Sequence, residues 1–213
     1  MEFMSIGESC QVAYQIRRYT GEGTRYLFDW VISDVNCVVK CITNFQRDLF
    51  LTNDSVEVVD QGRKVRDNYT GIMFQHDFPV NCNHIVTDEL AHDNLNSVRE
   101  KYLYLLEKTN RLLEESTSEP LVFVFYDWRK NGLDFCTDVL EKLKSCKSSI
   151  NREMFFMICS SAISEDVFHS NAAILKIDEY DGDEKKFFWR GNDQSWDSAL
   201  ERFTEKYKDI NIE

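Results

Sequence analysis

Proline is nearly missing from this chain: the 213 residues include two. No Pro-, Gly- or Ser-rich stretch marks a linker and no segment repeats, so one domain over residues 1–213 is expected. No run approaches the roughly 18 apolar residues of a membrane helix. Residues 1–15 show neither a basic n-region nor an apolar h-region, which predicts no secretory leader. Gly-x-Gly-x-x-Gly, the phosphate loop and Gly-x-Ser-x-Gly are absent too, leaving the common nucleotide and serine-hydrolase readings unsupported. Positive charge is scarce: 25 Lys and Arg stand against 37 Asp and Glu, a net charge of −12. The basic residues are scattered, whereas phosphate backbones and anionic membranes are bound by clustered Lys and Arg. No nucleic acid and no membrane is therefore expected as a partner.

The seven cysteines form no Cys-x-x-Cys pair and no regular framework, and without a leader the default is reduced thiols in the cytoplasm. Cys37 and Cys41, four apart on a helical pattern, read as small buried hydrophobes. His76, Asp77, Cys82, His84 and His92 crowd one span, but their spacing matches no zinc pattern. Neither a metal nor a cofactor is expected.

What is present is a core. Hydrophobic residues make up 43% and aromatics 13%, too much for a disordered chain. Residues 3–6 read as a short strand, Gly7 as its break, and residues 9–19 as a helix. Residues 26–30 are aromatic, a short strand or a buried turn. Ser33 or Asp34 caps a second helix, and residues 56–59 and 64–65 flank a hairpin turn at Gly62. Residues 69–74 read as a strand, 81–93 as a loop and 93–115 as the clearest helix. Residues 121–125, 154–159 and 172–177 are uninterrupted apolar runs, as expected of strands buried on both faces; 133–143 is helical between them. Residues 186–189 read as a short strand, and a helix carrying Trp196, Leu200 and Phe203 ends the chain. Strand and helix alternate through the second half. The fold class is thus α/β, a largely parallel central sheet flanked by helices in three layers, with a small β-hairpin insertion.

Chemistry gathers at the first turn. In Ser5-Ile6-Gly7-Glu8-Ser9-Cys10 a strand passes through a glycine into a cysteine at a helix start. Unpaired N–H groups there favour negative charge, so the thiol is expected to ionise more easily. The N–H groups near Ser9 and Cys10 would also hold an oxyanion. The bland reading is a cysteine packing the helix against the sheet. His76, after a strand and before a loop, is the candidate proton acceptor. Three acids are open as the group that orients its ring: Asp29 between two aromatics, Asp127 at the C-terminal end of a buried strand, and Asp77, whose side chain is expected to point away. Residues 189–196 form a polar turn between two tryptophans, with Asp193 or Ser195 as helix cap. Its sharper reading is a substrate rim with Trp189 and Asp193, to which Trp30 adds a stacking surface.

Three blocks, Ile6-Gly7-Glu8-Ser9-Cys10, Phe28-Asp29-Trp30 and Phe74-Gln75-His76-Asp77-Phe78, resemble those of an uncharacterised family described as papain-like cysteine peptidases. Residues 94–125, an amphipathic helix followed by an apolar strand, resemble that family too. The resemblance covers about the first 130 residues. It implies a Cys10 nucleophile, a His76 base, Asp29 in the site, and a papain-like α+β fold as the alternative architecture. Leu27 stands where the family tends to have proline. Met4 stands where papains carry their oxyanion glutamine.

The leading expectation is a thiol-dependent hydrolase or acyl transferase. Cys10 and His76, oriented by Asp29 or Asp127, would act on an amide or ester bond of a protein, peptide or small molecule. The alternatives are a non-catalytic binding module and a Rossmann-like transferase holding a sugar or nucleotide.

Overall fold

The computed structural model describes residues 1–23, 25–115, 117, 119–146, 150–180, 182 and 185–208. The chain opens with β1 (Glu2–Ser5) and α1 (Cys10–Thr20). Next come β2 (Val31–Ile32), α2 (Val35–Thr43), the hairpin β3 (Val56–Val59) and β4 (Lys64–Asp67), and β5 (Met73–Phe74). The long helix α3 (Asp88–Glu114) leads to β6 (Leu121–Asp127), α4 (Leu133–Lys144) and β7 (Met154–Ser160). β8 (Val167–Phe168), β9 (Ala172–Lys176) and α5 (Asp193–Tyr207) complete the order.

The apolar runs make the central sheet, ordered β1-β6-β7-β9-β8. Its first four strands are parallel, and β8 closes one edge antiparallel to β9. Every residue of β6 and β7 is buried, because helices cover both faces. The two-residue period divides their side chains. Val122, Val124, Phe155 and Met157 pack with Val12 and Ile16 of α1 and with Trp196, Leu200 and Phe203 of α5. Phe123, Phe125 and Phe156 pack with Tyr102 and Leu106 of α3 and with Val139 and Leu140 of α4. This is the three-layer α/β architecture expected from the sequence.

The hairpin is part of something larger. β2 and β5 join it in a separate antiparallel sheet ordered β2-β5-β4-β3. Three local readings differ from expectation. α3 begins at Asp88, within the expected loop, because the Thr87 side chain accepts a hydrogen bond from Leu90 N–H and starts the helix early. Residues 69–74 contribute only Met73 and Phe74 to a strand. Residues 185–190 form a 3₁₀ helix in place of the short strand. The cap of α5 is Asn192, which accepts from Ser195 N–H at 3.0 Å, so neither Asp193 nor Ser195 fills that role.

Candidate functional site

The first block folds as strand, turn and helix. Ile6 N–H extends the pairing of β1 by donating to Val124 O at 2.9 Å. Gly7 then turns the chain at φ +111°. A Cβ there would lie 2.6 Å from the Phe125 ring, so only glycine fits this close approach. Ser33 N–H and its hydroxyl both donate to Gly7 O at 3.1 Å, tying the turn to the start of α2. Ser9 is the N-cap of α1 and accepts from Gln11 N–H at 3.2 Å. Cys10 is the first residue of the helix, half-buried, and its thiol is free.

The second block is a buried turn. Asp29, 6% exposed, accepts from Arg17 Nη2 at 2.7 Å and from Tyr26 N–H at 3.2 Å. Burial raises the Asp29 carboxyl above its ordinary value, with Arg17, Tyr26 N–H and Ser5 opposing the shift. Leu27 N–H donates to Thr109 Oγ1 of α3 at 3.0 Å, which fixes the turn between α1 and α3. Trp30 follows at φ +65°, a left-handed conformation that bulky residues rarely adopt. The Arg17 guanidinium lies 5.3 Å from its ring centre.

The third block reverses the sequence expectation for its two polar neighbours. Asp77 is the one turned inward: it accepts from Tyr102 Oη at 2.8 Å and pairs with Lys101, both on α3. His76 is exposed and makes no hydrogen bond or ion pair among the described residues.

Electrostatics ties these blocks together. The charges of Asp77 and Asp29 both act on the Cys10 thiol, and those of Asp77, Cys10 and Asp29 act on the Tyr102 hydroxyl. Burial, as the largest cause, pushes Tyr102 upward. It also pushes the Cys10 thiol above its ordinary value, with the two aspartates adding to the shift. The thiol's own backbone N–H works the other way. The helix-terminus effect expected from the sequence is therefore present but outweighed. The resting thiol is protonated at neutral pH.

The remaining expected residues fall into two groups. Asp127 is 1% exposed and fully engaged elsewhere. It accepts from Asn131 Nδ2 at 2.9 Å, Gly132 N–H at 3.1 Å and Ser160 Oγ at 3.1 Å. These bonds close the loop before α4, whose N-cap Gly132 has no capping side chain. Trp189 packs edge-on against Tyr14 of α1 at 5.3 Å and against Trp30 at 6.2 Å. Asp193 accepts from Gln15 Nε2 at 2.8 Å and pairs with Arg18 at 3.3 Å, joining α5 to α1.

The structure thus gathers Cys10, Asp29, Asp77 and Tyr102, with Arg17 and Lys101 as their cations. Tyr102, Lys101 and Arg17 were not read as site residues. In the sequence Tyr102 is one more member of an apolar helical stripe, and nothing local shows that its hydroxyl meets an aspartate 25 positions earlier. No group of three or more His, Cys, Asp or Glu among the described residues is placed to hold a metal ion. No described helix is long and apolar enough to cross a membrane.

Neither a curated protein nor a solved structure matches this chain. One family model does, over residues 1–162, a span that includes Cys10, Asp29, His76, Asp77 and Tyr102 and stops short of Trp189 and Asp193. By that match the chain belongs to the family described as "Putative papain-like cysteine peptidase (DUF1796)".

Proposed function

We propose that the protein is a thiol-dependent hydrolase or acyl transferase acting on an amide or ester bond, with Cys10 as the attacking group and His76 as its proton acceptor. The observation that carries this reading is the half-buried Cys10 thiol on the first turn of α1, in electrostatic contact with Asp77 and Asp29. Membership of a family with a cysteine-peptidase description supports it. So does the placing of exposed His76 next to Asp77.

In this reading the resting site keeps the thiol neutral. When a substrate excludes water, the His76 side chain turns over the thiol and takes its proton. The Cys10 sulfur forms a bond to the substrate carbonyl carbon, and the N–H groups at the start of α1 stabilise the oxyanion. The carbon–nitrogen or carbon–oxygen bond breaks, and the imidazolium returns its proton to the leaving group. Water, or an acceptor hydroxyl or amine, then releases the acyl group. Asp77, held by Tyr102 and Lys101, positions the segment that carries His76; Asp29 with Arg17 fixes the wall behind. The substrate is a peptide, protein or small molecule. Seven free thiols fit a reducing, cytoplasmic setting.

The test is acylation by p-nitrophenyl acetate followed by peptide mapping. Cys10 is expected to acetylate faster than exposed Cys82, and His76→Ala to slow both formation and release of the adduct. Acetylation of Cys82 with none at Cys10 would overturn the reading.

The raised thiol favours one second reading, a non-catalytic binding module in which Cys10 packs the helix start. A Cys10→Ala variant that keeps full biological function would move the weight there.

A further inference from the structure

Asn131-Gly132 is the one Asn-Gly pair in the chain, and such a pair is chemically reactive in water. Glycine has no side chain to obstruct an approach of its own nitrogen to the neighbouring carboxamide. The Gly132 nitrogen gives up its proton and bonds to Asn131 Cγ. The Cγ–Nδ2 bond breaks, and Nδ2 takes up a proton and leaves as ammonia. Water then opens the cyclic imide at either carbonyl, which leaves aspartate or isoaspartate at position 131. Asn131 is exposed and Gly132 half-buried, so water reaches this pair.

Both reacting groups are held on a single carboxylate. Asp127 Oδ1 accepts from Asn131 Nδ2 at 2.9 Å, and Asp127 Oδ2 accepts from Gly132 N–H at 3.1 Å. The Asp127 carbonyl accepts from Lys130 N–H at 3.2 Å, so the turn before α4 closes on this one residue. Asp127 is in turn fixed by Ser160 Oγ at 3.1 Å and is 1% exposed. For the attack, the Gly132 nitrogen must release its proton and the Asn131 carboxamide must turn its face to it. Each movement breaks a hydrogen bond to a buried charge. We infer that Asn131-Gly132 is a latent modification site, held unreacted by Asp127 while the loop is closed and converted to aspartate or isoaspartate once it opens. The conversion runs one way. Its product lacks the Nδ2 donor and sets a second carboxylate beside buried Asp127, so like charges oppose reclosure. Cys136 Sγ lies 4.0 Å from the same Asp127 Oδ2. The loop that the conversion undoes is therefore the one beside this buried thiol, and a converted chain exposes Cys136 more readily. The inference is independent of the thiol reading at Cys10.

The experiment incubates the folded protein at mildly alkaline pH beside a synthetic peptide of residues 128–135 and follows position 131 in both by peptide mapping. The folded chain is expected to convert Asn131 at least about ten-fold more slowly than the peptide, the worth of one hydrogen bond to a charged group. Asp127→Asn keeps the size of the side chain and removes its charge, and it is expected to bring the rate toward that of the peptide. Converted wild-type chains, separated by ion exchange, are expected to alkylate at Cys136 faster than unconverted ones. Conversion in the folded protein as fast as in the peptide, or faster, as a carboxylate acting as base would give, overturns the inference. So does an unchanged rate in folded Asp127→Asn. If that variant fails to fold, Asn131→Asp decides: faster alkylation of Cys136 than in the uncharged Asn131→Ser upholds the inference, and equal rates overturn it.

Discussion

At the C-terminal edge of the central sheet two cysteines lie beside aspartates. Cys136, on the first turn of α4, is completely buried with its sulfur 4.0 Å from Asp127. Burial, then that carboxylate, pushes its thiol up to about 12. Cys10, on the first turn of α1, is pushed the same way by burial and by Asp77 and Asp29, but it remains half open to solvent. The difference lies in how the acids are employed. Asp127 is consumed by Asn131, Gly132 N–H and Ser160, which close a loop. Asp77 is held by two side chains of a distant helix and closes no backbone turn. An aspartate near a cysteine at a strand end is therefore not in itself a sign of chemistry. What separates the two places is whether the acid's hydrogen bonds serve the fold or leave the thiol accessible.

The comparison can be tested most strongly by reactivity. In the native protein Cys10 is expected to alkylate more than about a hundred-fold faster than Cys136, whose modification requires local opening; mass-spectrometric mapping over time measures both. Comparable rates would erase the distinction. Removing the acids should follow in size. Asp127→Ala is expected to cost about 2–3 kcal/mol in denaturant unfolding, because it strands the buried Ser160 hydroxyl and the partly buried Gly132 N–H. Asp77→Asn keeps an acceptor for Tyr102 and should cost less than about 1 kcal/mol. Ser9→Ala, which removes the cap of α1, should cost about 1 kcal/mol.

The smallest effects concern charge. Because Asp77 raises the Cys10 thiol, Asp77→Asn should speed Cys10 alkylation at neutral pH by a few-fold and leave Cys136 unchanged. For Cys136 the sign is worked out from linkage. An unfolded thiol ionises near about 8.5, whereas the folded one holds its proton further up. The unfolded state therefore binds fewer protons in that window. The stability Cys136 contributes is complete below pH of about 8.5 and declines as pH rises toward 12. Cys136→Ala should flatten that alkaline decline in thermal melts across pH.

Much of this arrangement was legible in the chain. β6, β7 and β9 announce themselves as apolar runs, and the glycine turn into Cys10 is visible because Gly7 interrupts strand before helix. Two-residue strands such as β2 and β8 leave no periodic trace, since an alternation needs several residues to be seen. The small sheet was read as a hairpin for that reason. At the site, the glycine turn singles out Cys10, Asp29 is one of three open acids that the family resemblance favours, and the expected direction of Asp77 is the opposite of the one it takes. Asp77 faces inward through its contacts to Tyr102 and Lys101 of the distant α3, which no neighbour in sequence reveals. Tyr102 lay hidden because its ring satisfies the apolar stripe of α3 while its hydroxyl serves Asp77. Asp127 stays among three open acids because strand ends gather ligands, and nothing near it in sequence reveals that Ser160 of the neighbouring strand hydrogen-bonds it.

The account turns on Cys10 as the reacting group, and acyl transfer tests that most directly. Intact-mass analysis after brief exposure to p-nitrophenyl acetate should find one acetyl group at Cys10. That group should be lost on standing, and the loss should be slower in His76→Ala. An adduct confined to exposed Cys82, with Cys10 untouched while the protein remains folded, would contradict it.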